Sequence, residues 1–90
     1  MKQLTGMDIM HVRRLADQMW REAADIRKEM HAMSSLIDNI PWRGHDRDRF
    51  VGEWRTRHLA ALQRIVDGLE QASRDAKEHA RRQEAASSGW

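Results

Sequence analysis

Val12, Ala16, Met19, Ala23, Ile26, Met30, Met33, Ile37 and Ile40 follow one another at alternating steps of four and three residues. Such a run stays on one stripe of an α-helix, and the residues between are mostly Arg, Asp, Glu, Lys and Gln. Thr5, with Asp8 three residues later, is a variant of the capping box that opens helices. Asn39 and Pro41 close the run, because the proline ring pushes Ile40 out of helical backbone. The pattern predicts a first helix over about residues 6 to 39, about 50 Å long at 1.5 Å per residue.

A second apolar pattern begins past Gly44. Asp46 is the expected N-cap, and Asp48 suits the positive end of the helix dipole. The apolar positions are Phe50, Val51, Trp54, Leu59, Ala61, Leu62, Ile65, Val66, Leu69, Ala72 and Ala76. One seam through them reads His58, Leu62, Ile65, Leu69, Ala72 and Ala76. Leu59 and Val66 widen it on one side; Trp54, Ala61 and Gly68 widen it on the other. The helix is predicted over about residues 46 to 84, with residues 85 to 90 as a flexible tail. Val, Ile, Thr and Phe never alternate over four residues, so no strand is expected. The expected fold is therefore all-α: one antiparallel helix-turn-helix hairpin with its turn at 40 to 45.

These stripes are wider than one partner helix covers. Two helices touch along one line, which leaves flanks that include Met30, Met33, Leu59 and Val66 facing water. Burying one Leu or Ile side chain is worth about 1.5 to 3 kcal/mol. A second hairpin resolves the excess, so the pattern predicts a dimer that forms a four-helix bundle. The seams of hairpin and dimer are expected to run through Val12, Met19, Ile26, Met30, Met33 and Ile37 on helix one. On helix two they are expected through Leu59, Leu62, Ile65, Val66 and Leu69.

Composition narrows the chemistry. Ninety residues make one small domain, and the absence of cysteine removes disulfides and thiolate metal sites. No apolar run approaches a membrane span. Met1 to Met10 lacks the layout of a cleavable signal peptide. Sixteen basic and fourteen acidic residues give a net charge of +2, with the signs interspersed. The five histidines include no HExxH or other zinc spacing. An antiparallel hairpin brings His31 opposite His58 and His11 opposite His79, but no third ligand is evident, and these read as polar edges of the seam. No metal, cofactor or catalytic residue is expected. Arg43, Arg47, Arg49, Arg55 and Arg57 crowd the turn, the one hint of a basic nucleic-acid-binding module. Asp46, Asp48 and Glu53 are interleaved with them, and no nucleic acid is expected.

The turn carries the sharpest signal. Trp42-Arg43-Gly44 follows Pro41 near the middle of the chain, and Phe50 and Trp54 come eight and twelve residues after Trp42. Glycine suits a reversal that needs positive φ. Trp42 brings a large apolar body and one N–H donor, able to cap the core or reach a partner. Trp42, Gly44 and the pair Phe50 and Trp54, in a hairpin of this length, resemble the WXG family of small type VII (ESX-like) secretion substrates, the early-secreted-antigen type. The resemblance spans about residues 6 to 84. It implies a helix-turn-helix that pairs with itself or with a second small WXG-type chain. It also implies handling by secretion machinery as a folded cargo or co-cargo, made in the cytoplasm and secreted without a cleavable signal peptide. One element departs from the family. Its export signal, Tyr-x-x-x-Asp/Glu, has no counterpart, since the chain has no tyrosine and the nearest stretch offers His79 and Gln83. Either a partner carries that signal or the chain is a non-exported relative. A plain adaptor coiled coil is the alternative outside secretion.

Overall fold

The structure, a computed structural model, describes residues 6–88, and the surroundings of side chains from 8 to 87. Thr5 of the expected capping box, and Gly89 and Trp90, lie outside the described residues. Helix α1 runs Gly6–Asp38. After a short turn, α2 (His45–Glu53) passes without a break into a π-helical stretch, Trp54–Leu59, and then into α3 (Ala60–Ser88). The described residues are helix and turn, folded back as an antiparallel hairpin about 69 Å long.

The core is a ladder of residues seven apart. Ile9, Ala16, Ala23, Met30 and Ile37 are the buried apolar residues of α1. A packed helix turns about 3.5 residues per contact layer, so a spacing of seven returns each side chain to the seam. Val66, Ser73 and Ala80 form the matching ladder on α3, also seven apart and all fully buried. Ala23, Met30 and Val66 make the central cluster, with Ile26, Leu59, Leu62 and Leu69 packed around it. Toward the open end the ladder is small: Ala16, Ser73 and Ala80. There the Ser73 hydroxyl donates to the Ala16 carbonyl at 2.7 Å, which ties the two rods together and satisfies a buried polar group.

The π stretch answers a defect in the repeat. Val51 and Val66, both buried, are fifteen residues apart, two heptads and one extra. In an unbroken α-helix that extra residue would swing Val51 about 100° off the seam. A π turn absorbs one residue, and so Val51 stays on the core side. The sequence marks the place. Along Val51, Trp54, Leu59, Leu62, Val66, Leu69, Ser73, Ala76 and Ala80, the only step other than three or four is the five from Trp54 to Leu59. Those two residues are the bounds of the π stretch.

The structure therefore shifts the expected seam of helix two. The hairpin contact runs through Leu59, Leu62, Val66, Leu69, Ser73, Ala76 and Ala80, and not through His58, Ile65 and Ala72, which are exposed. The polar Ser73 hid the pattern, because apolar periodicity favours Ala72. Two ends also move. The N-cap of α2 is Gly44, not Asp46, and α3 continues through Ser88 where fraying was expected after 84. Asn39 closes α1, as its Nδ2 donates to the Ser35 carbonyl at 2.8 Å. On the surface of α3, the Arg81 guanidinium bonds Glu78 and holds that carboxyl below its ordinary pKa.

Candidate functional site

The two edges of the hairpin differ. One edge is closed by polar pairs that cross from α1 to helix two. Arg13 pairs with Glu84, Lys77 with Asp17 at 3.3 Å, Arg27 with Glu70 at 2.9 Å and Arg55 with Asp38 at 3.1 Å. In the same row the Trp54 indole N–H donates to the Ser34 hydroxyl at 3.1 Å. Each such exposed pair is worth little alone. Together they fix which edge of each rod faces the other.

The opposite edge carries no ion pair between the helices among the described residues. It opens instead into an apolar groove of about 790 Å³ near the turn. From α1 the wall is Ile26, Met30, Met33, Leu36, Ile37 and Ile40; from helix two it is Phe50, Trp54 and Leu62. Asp25 and Glu29 stand at its lip. Leu36 is 63% exposed, Ile65 52% and Met33 45%. Leu15 lies three heptads before Leu36 and is also exposed, but Glu22 and Glu29 hold the positions between, so the apolar groove does not reach it. Met10 and Trp20 are exposed too, but fall on other faces of the helix.

The residues expected to matter divide between these surfaces. Met30, Val66 and Leu59 do not lie on wet flanks as expected: Met30 and Val66 are buried in the hairpin with Ile37, because the seven-residue ladder puts them on its seam, and Leu59 is half-buried with Val12, Met19, Ile26, Leu62 and Leu69. Met33 and Ile65 lie on the open face. Leu36 and Ile40, which the expected site omitted or left at its end, are part of the groove wall. Leu36 sits three residues past Met33, a spacing that marks a stripe wider than one seam.

At the turn, Gly44 adopts φ 115°, ψ −177°, a region essentially reserved for glycine. Its carbonyl accepts the Asp48 N–H at 3.1 Å, opening α2. Asp46 and Asp48 lie in that first turn, favourably placed for the dipole. A Cβ on Gly44 would meet nothing within 4 Å, so any penalty for a larger residue there is purely backbone strain. Gly44→Ala is therefore expected to cost about 1 to 3 kcal/mol in urea unfolding, despite the open space. Trp42 does not plug the end of the core. It is 42% exposed and packs its ring on Phe50, with centroids 5.8 Å apart and a 49° tilt. The Trp42 N–H bonds the Ile40 carbonyl at 2.8 Å, tightening the reversal.

Of the arginines around the turn, Arg47 contacts Asp48 and Arg55 is tied to Asp38. His58 lies against Trp54, with ring centroids 6.4 Å apart. Among the described residues no three His, Asp or Glu side chains gather as metal ligands, and no helix is long and apolar enough to cross a membrane. No family model, curated protein or solved structure matches the chain.

Proposed function

We propose that this chain is a non-enzymatic WXG-type hairpin that acts as one half of a four-helix bundle. Its partner is a second copy or a second small WXG-type chain, and the pair is a folded cargo or co-cargo of a type VII-like secretion route. The observation that carries the reading is the one-sided apolar face. The ion-paired edge has its partners, while Leu36, Met33, Ile65 and Phe50 are left in water on the other edge. About half of each side chain is still in water, so covering it is worth about 1 kcal/mol apiece, and several together favour association of a chain this small. The Trp42-Arg43-Gly44 turn, with Gly44 at positive φ and Trp42 on Phe50, supports the WXG assignment.

The missing tyrosine favours a second reading, a non-secreted adaptor that uses the same face. Tracking a tagged chain between cells and medium in a host with an active type VII route separates the two. Retention with every small WXG-type partner co-expressed removes the secretion reading and leaves the adaptor.

The bundle itself is tested by co-expression with an adjacent small open reading frame and mass measurement of the purified species. Leu36→Asp and Ile65→Asp are expected to abolish association. Both positions are more than half exposed in the hairpin, so the melting temperature of the isolated chain should stay within about 3 °C. Association that survives both substitutions places the interface elsewhere.

A further inference from the structure

The ion-paired edge has one break. Gln63, Glu70, Lys77 and Glu84 follow one another every seven residues along that edge of α3, and the last three each pair with α1. Gln63 does not cross: its amide turns along its own helix to Asp67 at 2.9 Å. The next side chains to reach α1 are Trp54 and Arg55, at the start of the π stretch. Between these contacts the edge opens into a cavity of about 280 Å³. Met30 and Leu59 give it an apolar floor, and Arg27, His31, Ser34 and Gln63 give it polar sides. π turns inside α-helices occur often at functional sites.

We propose that this cavity binds a small hydrophobic carboxylate. It lies on the edge opposite the apolar groove, so the proposal goes beyond the docking reading and does not rest on it. Arg27 uses one Nη2 bond on Glu70, at 2.9 Å. Glu70 holds the guanidinium from outside the cavity, and the remaining N–H donors have no acceptor among the described residues. Ser34 accepts the Trp54 N–H and donates its own proton to no group among them. His31 has no hydrogen-bond or ion-pair partner there either. No Asp or Glu lines the cavity. Donors around an apolar floor, with no carboxylate among them, suit a ligand with an anionic head and an apolar body. A carboxylate matches the fork of Arg27, and such charge-assisted bonds are about twice as strong as neutral ones. A flat ring suits the Met30 thioether. At about 30 Å³ per water-sized group, the space takes about nine or ten non-hydrogen atoms. For a ligand of that size in an open cavity, a Kd of about 0.1 to 1 mM is expected.

3-Phenylpropionate, its uncharged amide and acetate test this by NMR titration of the full chain. The Trp54 indole N–H, bonded to Ser34, is the reporter. 3-Phenylpropionate is expected to shift it saturably, and the amide and acetate to bind at least about tenfold more weakly. Arg27→Gln is expected to bring the acid down to the affinity of the amide and to leave the amide unchanged. That variant also loses the pair with Glu70, but an exposed pair contributes little to folding. Gln63→Glu keeps the pair, places a carboxylate at the cavity and is expected to abolish binding of the acid. Trp54 also borders the apolar groove, so Leu36→Asp is the control and is expected to leave binding unchanged. No saturable shift at tenfold the expected Kd overturns the proposal. So does equal affinity for acid and amide or for acid and acetate, binding of the acid that survives both cavity variants, or binding that Leu36→Asp abolishes. None of these results bears on pairing through the groove.

Discussion

Val66→Asp is expected to unfold the hairpin. Val66 is fully buried, packed with Ala23 and Met30 and ringed by Ile26, Leu59, Leu62 and Leu69. That environment holds no cation for a carboxylate. Burying an unpaired charge costs several kcal/mol, and a single small core rarely supplies more than about 3 to 5 kcal/mol in all. Circular dichroism of the variant at pH 7 should show a large loss of helix. Val66→Ala, which removes only methyl groups, is expected to cost about 2 kcal/mol and to leave the chain folded. The adjacent Ile65→Asp serves as the control, because Ile65 is 52% exposed. Desolvation raises the folded-state pKa of the new carboxyl above its unfolded value. Its penalty is therefore greatest at neutral pH and shrinks as pH falls below that raised value. A folded Val66→Asp chain with an unchanged melting temperature would mean that this seam is not what holds the hairpin.

A pair of single-residue deletions should separate by several kcal/mol. Removing Arg57, an exposed residue inside the π stretch, leaves Val51 and Val66 fourteen positions apart in place of fifteen. A regular α-helix then keeps both on the seam, and stability is expected to stay within about 1 kcal/mol of the parent. Removing Gln71 has no such outlet. Beyond that point every side chain rotates by about 100°, so Arg74, Lys77 and Arg81 move into the places of Ser73, Ala76 and Ala80. Three cations against Ala16 and its neighbours, with the bond from Ser73 to Ala16 lost, are expected to melt the open half of the hairpin. Urea unfolding followed by circular dichroism reads both. If the two deletions are equally damaging, the π stretch does not set the register.

These contrasts show why parts of the molecule were readable and others were not. Helix one was legible because its apolar steps of four and three are unbroken from Val12 to Ile40. Helix two was harder for two reasons. Ser73 is polar but buried, since its hydroxyl has a carbonyl to bond, and hydrophobicity alone cannot anticipate that pairing. The step of five from Trp54 to Leu59 breaks the period, and a search for an unbroken stripe passes over it toward His58 and Ile65. The N-cap was misplaced because Asp46 caps by side chain, whereas Gly44 opens α2 through its backbone alone. At the groove, Met33 and Ile65 were legible as apolar positions, but Leu36 was not singled out.

The order of residues is enough to specify two long amphipathic rods, a reversal around Pro41 and Gly44, and more apolar surface than two rods can hide. Those properties follow from local periodicity and backbone sterics, which act within a few residues. The folded hairpin alone decided which surface stays uncovered. Rotation of each rod about its own axis is set by contacts between residues far apart in sequence: Ser73 on Ala16, Trp54 on Ser34, and the ion pairs from Arg13–Glu84 to Arg55–Asp38. Once those lock one edge, Leu36, Met33, Phe50 and the carboxylates of Asp25 and Glu29 are left together on the other.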